Sequence, residues 1–354
     1  MPISDRERNT HPVHESGRNE ATVKETVCGL NALLAAEART HRNVGYKNNV
    51  SRFHMLTMSQ CNKLHNELIT GTYQPQPGDE HEIFEPKHRI TVSCKYRDRI
   101  PQSSFVTNYF YPEVVPHLID GNCSCLKGRG VDYARNLFKN FLRQADMNDY
   151  CLKVDMKSYF ASIDHDALCA EMSEYITDDW AMEFFRLIID NASKPVGIDL
   201  GSEIYQLSAT TFLNKLDHML AERGAYVRYQ DDLVVIGTKE HCKEALTLIR
   251  QEAQRLKLTI SEKKTYMQPV SRPIQFLGYT FLKHETGKIT VKRLQDKIRH
   301  ERRKLRRMWA KGVPVERMKA HYQGVREGLS KGSRSDMMKM DRYFNSIIRG
   351  ERVC

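Results

Sequence analysis

At 354 residues the chain is long enough for a sizeable core and two or three subdomains. It holds 55 Lys+Arg against 44 Asp+Glu, a net charge of +11, and nine cysteines with no C-x-x-C pair and no zinc-spaced His/Cys set. Free thiols, no signal peptide and no bilayer-length apolar run argue against a secreted, disulfide-stapled or membrane-spanning protein, so the expected place is the cytoplasm.

Residues 1–22 are polar, with little periodic signal, and read as a mobile arm. Val27, Leu30, Leu33 and Leu34 predict a helix over 25–38. Met55, Leu56, Leu64 and Leu68 predict a second over 53–69, ended by Gly71. Residues 1–82 are expected to form an N-terminal extension.

Within 84–90 (FEPKHRI), Lys87 and Arg89 alternate on a predicted strand, so both can face one side. Arg97, Asp98 and Arg99 follow a second strand over 90–94. Such cations either cradle a triphosphate or make a solvated charged hairpin. Alternatively, Asp98 and Arg99 pair structurally. The glycine-punctuated loop 121–130 precedes a helix over 131–144. Its backbone N–H groups and Arg129 either hold a phosphate or simply cap that helix.

Residues 151–164 (CLKVDMKSYFASID) open a third region. Leu152, Val154 and Met156 alternate with polar neighbours, which predicts a strand with Asp155 near its end on the opposite side. Tyr159, Phe160 and Ile163 lead into a helix with Asp164 or Asp166 at its start. Gly197 and Gly201 then precede a helical pattern, Leu207, Phe212, Leu216 and Leu220.

The apolar runs 225–229 and 233–237 flank a polar turn, YQDD at 229–232, and predict a hairpin with Asp231 and Asp232 at its tip. Adjacent carboxylates repel unless a positive charge lies between them, and hard oxygens suit Mg²⁺. Taken singly, an acidic hairpin turn or a strand-end aspartate needs no function. The combination D-x-K-x-[YF]-F-x-S-I-D, then seventy-odd residues, then YxDD, is far more specific.

Farther on, Lys263 and Lys264 lie in a loop after that hairpin, and 276–279 (FLGY) reads as a second tight hairpin. Leu294, Ile298, Leu305 and Met308 mark one face of a helix between 292 and 311. Arg302, Arg303, Lys304, Arg306 and Arg307 crowd the rest. Gly312 and Pro314 end it, and two more helices are predicted near 315–329 and 335–349. From 288 to 354 there are 20 Lys/Arg and 7 Asp/Glu, a balance of +13, which leaves −2 for 1–287. So lopsided a charge points to a polyanion bound by the last segment.

On these motifs, over residues 26–350, the chain resembles the reverse transcriptase family, bacterial members in particular. The resemblance implies an α+β right-hand polymerase with fingers (83–148), an antiparallel palm (149–283) and a basic helical thumb (284–354). It implies an RNA template, a DNA or RNA primer and dNTPs as partners, with no membrane. Asp155, Asp231 and Asp232 match the catalytic acids, which would hold two Mg²⁺ ions, with Mn²⁺ as substitute. The backbone carbonyl of Met156 or Lys157 would add a ligand.

Phe160, otherwise a core aromatic, matches the steric gate against a ribose 2′-OH. Lys87, Arg89 and Arg99 match triphosphate contacts. Lys263 or Lys264 matches a proton donor to pyrophosphate. Phe276, Leu277, Gly278 and Tyr279 match the primer grip, the two rings backing the primer. Arg302, Arg303, Arg306 and Arg307 would contact duplex phosphates.

Leu200 and Gly201 stand where many members have Gln-Gly, and Gln206 stands where many have proline. Gln206 resembles the Ser-Gln form of diversity-generating and related bacterial enzymes, with Tyr205 in place of the serine, and the loss of the nucleotide-contacting glutamine at Leu200 motivates an error-prone hypothesis. A phage-defence enzyme making untemplated or protein-primed DNA and an inactive nucleic-acid-binding scaffold are the alternatives. Any structured non-coding RNA or accessory protein is expected from neighbouring genes.

Overall fold

Gly29 breaks the first predicted helix in two. A Cβ there would lie 2.8 Å from the Glu25 carbonyl oxygen. The result is α1 (Val23–Cys28), closed by a capping box between Thr22 and Glu25, and α2 (Leu30–His41). The second predicted helix also splits, at Leu56, into α3 (Asn48–Met55) and α4 (Thr57–Ile69). A computed structural model describes residues 22–84, 89–192, 196–199 and 201–350.

The charged segments at 79–105 become the hairpin β1 (Asp79–Ile83) and β2 (Arg89–Ser93), followed by α5 (Tyr96–Phe105). The chain continues through a wide turn into α6 (Tyr111–Val114), then α7 (Val131–Gln144). The expected boundary at 82 therefore falls inside β1. Leu33, Ala36, Leu64, Ile100 and Phe105 share one core, so the N-terminal helices and fingers pack as a single body.

Next come β3 (Tyr150–Asp155), α8 (Tyr159–Ser162), α9 (His165–Met172), α10 (Asp179–Asp190), α11 (Glu203–Thr211) and α12 (Asn214–Ala221). The hairpin β4 (Ala225–Tyr229) and β5 (Asp232–Gly237), then α13 (Lys239–Arg255) and β6 (Tyr266–Pro269), complete the palm. Its antiparallel sheet runs β4-β5-β3-β6.

Strand alternation explains the two-sided core. Leu152, Val154, Tyr226, Leu233 and Val235 face the N-terminal and palm helices. Cys151, Val227, Val234 and Ile236 face α7 and Phe276 in a second core.

A three-stranded sheet follows, β7 (Ile274–Phe276), β8 (Tyr279–Lys283) and β9 (Ile289–Arg293). The thumb is α14 (Gln295–Ala310), α15 (Val315–Ser330) and α16 (Arg334–Ile348), packed around Ile298, Leu305, Met318 and Phe344. The architecture is the α+β right hand that the motifs imply. No helix among the described residues is long and apolar enough to cross a membrane.

Candidate active site

Asp155 ends β3 directly opposite Asp232, the first residue of β5. Asp231 occupies the two-residue turn before it, and its carbonyl accepts the Met156 N–H at 3.2 Å. Three carboxyl-bearing residues separated by seventy-odd positions thus meet at one end of the palm sheet. Asp155 is buried and both its carboxylate oxygens accept from the Lys264 ammonium, at 2.8 and 2.9 Å. Lys153 lies 3.2 Å from Asp232. Asp231 has no ion-pair partner among the described residues. Burial, and then the charges of Asp232 and Asp155, push its carboxyl above the ordinary range despite its own backbone N–H and Lys264.

The site therefore carries excess negative charge that a cation would relieve. Three oxygen-donor side chains suit a hard divalent ion. The described acids are not yet gathered as a ready-made three-ligand cluster. Lys264 is the cation that pairs with Asp155. Its side chain is 60% exposed, so it is free to swing away.

The turn itself is held in an uncommon conformation. Gln230 has φ +55°, at a hairpin position usually given to glycine. Its N–H donates to Ser124 Oγ at 3.3 Å and its side-chain amide to Thr210 Oγ1 at 3.2 Å. Loop 121–125 lies along the open edge of β4: Arg228 donates to the Gly121 carbonyl at 2.8 Å, and Cys123 to that of Arg228 at 3.0 Å. Arg129, considered for a phosphate, is engaged within the protein. Its guanidinium is spent on the Ile119 and Asn122 carbonyls and on Asp120.

Of the nucleotide-side residues, Phe160 is half-buried, edge-on to Tyr159, and the Phe160 carbonyl accepts the Ile198 N–H at 2.8 Å. Arg99 donates to the Cys94 carbonyl and lines a cavity of about 210 Å³ with Gly201 and Ser202. Gln206 is exposed on a neighbouring cavity of about 320 Å³, beside Tyr111 and Lys127. Arg39 of α2 lines both cavities, a contribution that sequence reading missed. Asp98 does not pair with Arg99. It is buried, accepting from the Tyr73 hydroxyl and the Gln76 N–H. Arg89 begins β2 opposite Ile83; Lys87 and Leu200 lie outside the described residues.

In the 276–279 segment the turn forms as expected but the rings do not back an open surface. Leu277 and Gly278, at φ +43° and +84°, make the tight turn. The rings do not face outward: Phe276 packs on Phe138, and Tyr279 is buried under the Arg135 guanidinium with its hydroxyl on the Gly328 carbonyl of the thumb. In α14, Arg303, Arg306 and Arg307 are exposed. Arg302 and Arg306 lie over the Tyr343 ring, at 4.8 and 5.6 Å.

Residues 85–281 match the family described as reverse transcriptase (RNA-dependent DNA polymerase), over half of the chain. This chain belongs to that family. The chain is 25% identical over 297 residues to a putative COX1/OXI3 intron 1 protein of Saccharomyces cerevisiae, covering 63% of this chain and 34% of that one. It is 41% identical over 73 residues to the group II intron-encoded protein LtrA of Lactococcus lactis, covering 19% and 12%. It thus spans about a third or less of these relatives' lengths.

Similar solved structures include telomerase from Candida albicans in complex with the TWJ fragment of telomeric RNA (10% identity, 80% of this chain and 56% of that one, TM-score 0.49). Apo telomerase from Candida tropicalis is another (13% identity, 66% and 52%, TM-score 0.42). Family members generally use divalent metal ions.

Proposed function

We propose that this chain synthesises DNA on an RNA template by adding deoxynucleotides to a DNA or RNA primer. The observation that carries this reading is the meeting of Asp155 with Asp231 and Asp232 at the end of the palm sheet, inside the region that matches the family. Asp155 and Asp231, with Asp232 beside them, would hold Mg²⁺, which supplies positive charge to the primer hydroxyl and the triphosphate.

The chain's own residues do the rest. The primer 3′-hydroxyl gives its proton to solvent water, its oxygen forms a bond to the α-phosphorus, and the α–β bridging bond breaks to release pyrophosphate. Lys264 moves off Asp155 and gives a proton to the pyrophosphate oxygen. Arg99 steadies the triphosphate from the fingers side. Phe160, beside the 197–198 backbone, excludes a ribose 2′-OH. Gln206 and Gly201 border the base. Arg303 and Arg307 hold the duplex by its phosphates.

The template is an RNA of a bacterial retroelement, diversity-generating or related to group II introns. All three acids are present, which argues against an inactive scaffold. The test is primer extension by Asp231→Asn on a primed RNA template. Extension should be lost while duplex binding stays measurable; retained synthesis refutes the assignment.

A further inference from the structure

A second charged pair lies behind the YQDD turn. Arg228, in β4, and Asp217, in α12, are both fully buried. Asp217 accepts from Arg228 Nε at 2.7 Å and Nη2 at 2.5 Å, from the Tyr226 hydroxyl at 2.7 Å and from the Asn122 amide at 3.2 Å. Arg228 Nη2 also donates to the Thr210 carbonyl at 2.6 Å, and its remaining nitrogen, Nη1, donates to the Gln230 carbonyl at 3.1 Å. Burial opposes the charge on Arg228, yet Asp217 outweighs it and keeps the guanidinium ionised.

The Gln230 carbonyl belongs to the peptide that leads into Asp231. Fixing that carbonyl fixes the peptide plane and hence the direction of the Asp231 side chain. The peptide on the far side is fixed too, by the Met156 N–H on the Asp231 carbonyl. Gln230, meanwhile, occupies a left-handed conformation that a free turn would relax. A planar fork presents donors in three directions to acceptors that stand apart, here Asp217 and the Thr210 and Gln230 carbonyls; an ammonium would need all of them to converge on one nitrogen.

We propose that the Asp217–Arg228 pair is a positioning device that aims the Asp231 carboxylate at its metal and substrate. The proposal rests on the polymerase reading for its consequence in catalysis, but not for its consequence in metal binding. Loop 121–125 belongs to the same device, since Ser124 holds the Gln230 N–H and Asn122 holds Asp217.

The experiment compares full-length wild type, Arg228→Lys and Ser124→Ala. Thermal melting followed by circular dichroism reports folding. Mn²⁺ titration of the metal-free proteins by electron paramagnetic resonance reports metal binding, and single-turnover extension at varied dNTP reports the reaction. Folded Arg228→Lys should bind Mn²⁺ roughly tenfold more weakly. Its maximal extension rate should fall by about 100-fold while the dNTP concentration for half-maximal rate shifts less than about twofold. Ser124→Ala should move Mn²⁺ affinity and maximal rate the same way by a smaller factor, about threefold.

Wild-type Mn²⁺ affinity and rate in folded Arg228→Lys would overturn the proposal, as would a change confined to dNTP affinity. Should Arg228→Lys not fold, Ser124→Ala decides alone, and wild-type behaviour there overturns it. A wild-type protein that extends no primer defeats the polymerase reading, and the Mn²⁺ titrations still judge the pair.

Discussion

The Lys264 ammonium bridges both carboxylate oxygens of Asp155 across 109 residues of sequence. Under the proposed function one lysine would both compete with a metal ion and serve as the reaction's acid. Lys264→Ala separates the two. The metal-free variant should bind Mn²⁺ more tightly than wild type, because a competing cation is gone. Its single-turnover extension rate should drop roughly 100-fold for want of a proton donor. Unchanged Mn²⁺ affinity sinks the first role, and an unchanged rate the second.

Asp231 gives a pH signature in the metal-free protein. Its folded-state carboxyl is raised above the ordinary value of 3.8, by burial first and by its acidic neighbours next. A raised carboxyl favours the fold when protonated and opposes it when ionised. Its stability contribution is therefore present below the ordinary value and lost as pH rises through the folded-state value. Asp231→Asn should raise the melting temperature at neutral pH in the presence of a chelator. That gain should shrink as the solution is acidified through the raised value. A gain that is flat with pH, or absent, contradicts the assignment.

In the thumb the four arginines divide by what they touch. Removing exposed Arg303 and Arg307 together should weaken duplex binding and flatten the plot of log affinity against log salt by about 2. Arg302→Ala instead removes a guanidinium lying over Tyr343. It should cost about 0.5–1 kcal/mol of stability with less effect on that slope. Equal slopes for the double variant and wild type would show that this face of α14 does not meet phosphates.

Tyr279 ties the palm-side hairpin to the thumb through the Gly328 carbonyl, and a Cβ on Gly332 would lie 2.8 Å from its ring. Tyr279→Phe should lose about 1 kcal/mol of stability. Products made under a heparin trap should shorten, since the thumb is less firmly docked, while the first nucleotide is added at the wild-type rate. A slowed first addition would instead place the hydroxyl at the chemistry.

The centre of the site was legible because it is local. Apolar runs flank the YQDD turn, a period-two pattern precedes Asp155, and β3, β4 and β5 form where they predict. What escaped the sequence depends on distant partners. Arg228 interrupts an apolar strand without an obvious reason until Asp217 and residue 122 arrive, the latter 95 positions before Asp217. The rings of Phe276 and Tyr279 suggested a surface for the primer. Their register, directly opposite each other in β7 and β8, turns both toward buried neighbours instead. Asp98 beside Arg99 looked like its local partner, but the helix start of α5 directs it inward to Tyr73.

The shared core of α2, α4 and α5 has a consequence for recombination between relatives. Exchanging residues 1–82 as if they were an independent module would cut through the β1–β2 ladder and leave Ile100 and Phe105 facing a foreign helix. A chimera that exchanges α14–α16 crosses far fewer such contacts, its core being largely its own. Its principal debts are the Tyr279–Gly328 bond and the Lys331–Asp132 ion pair, at 2.7 Å. Viable hybrids should therefore inherit the front of the chain as one block and vary at the rear.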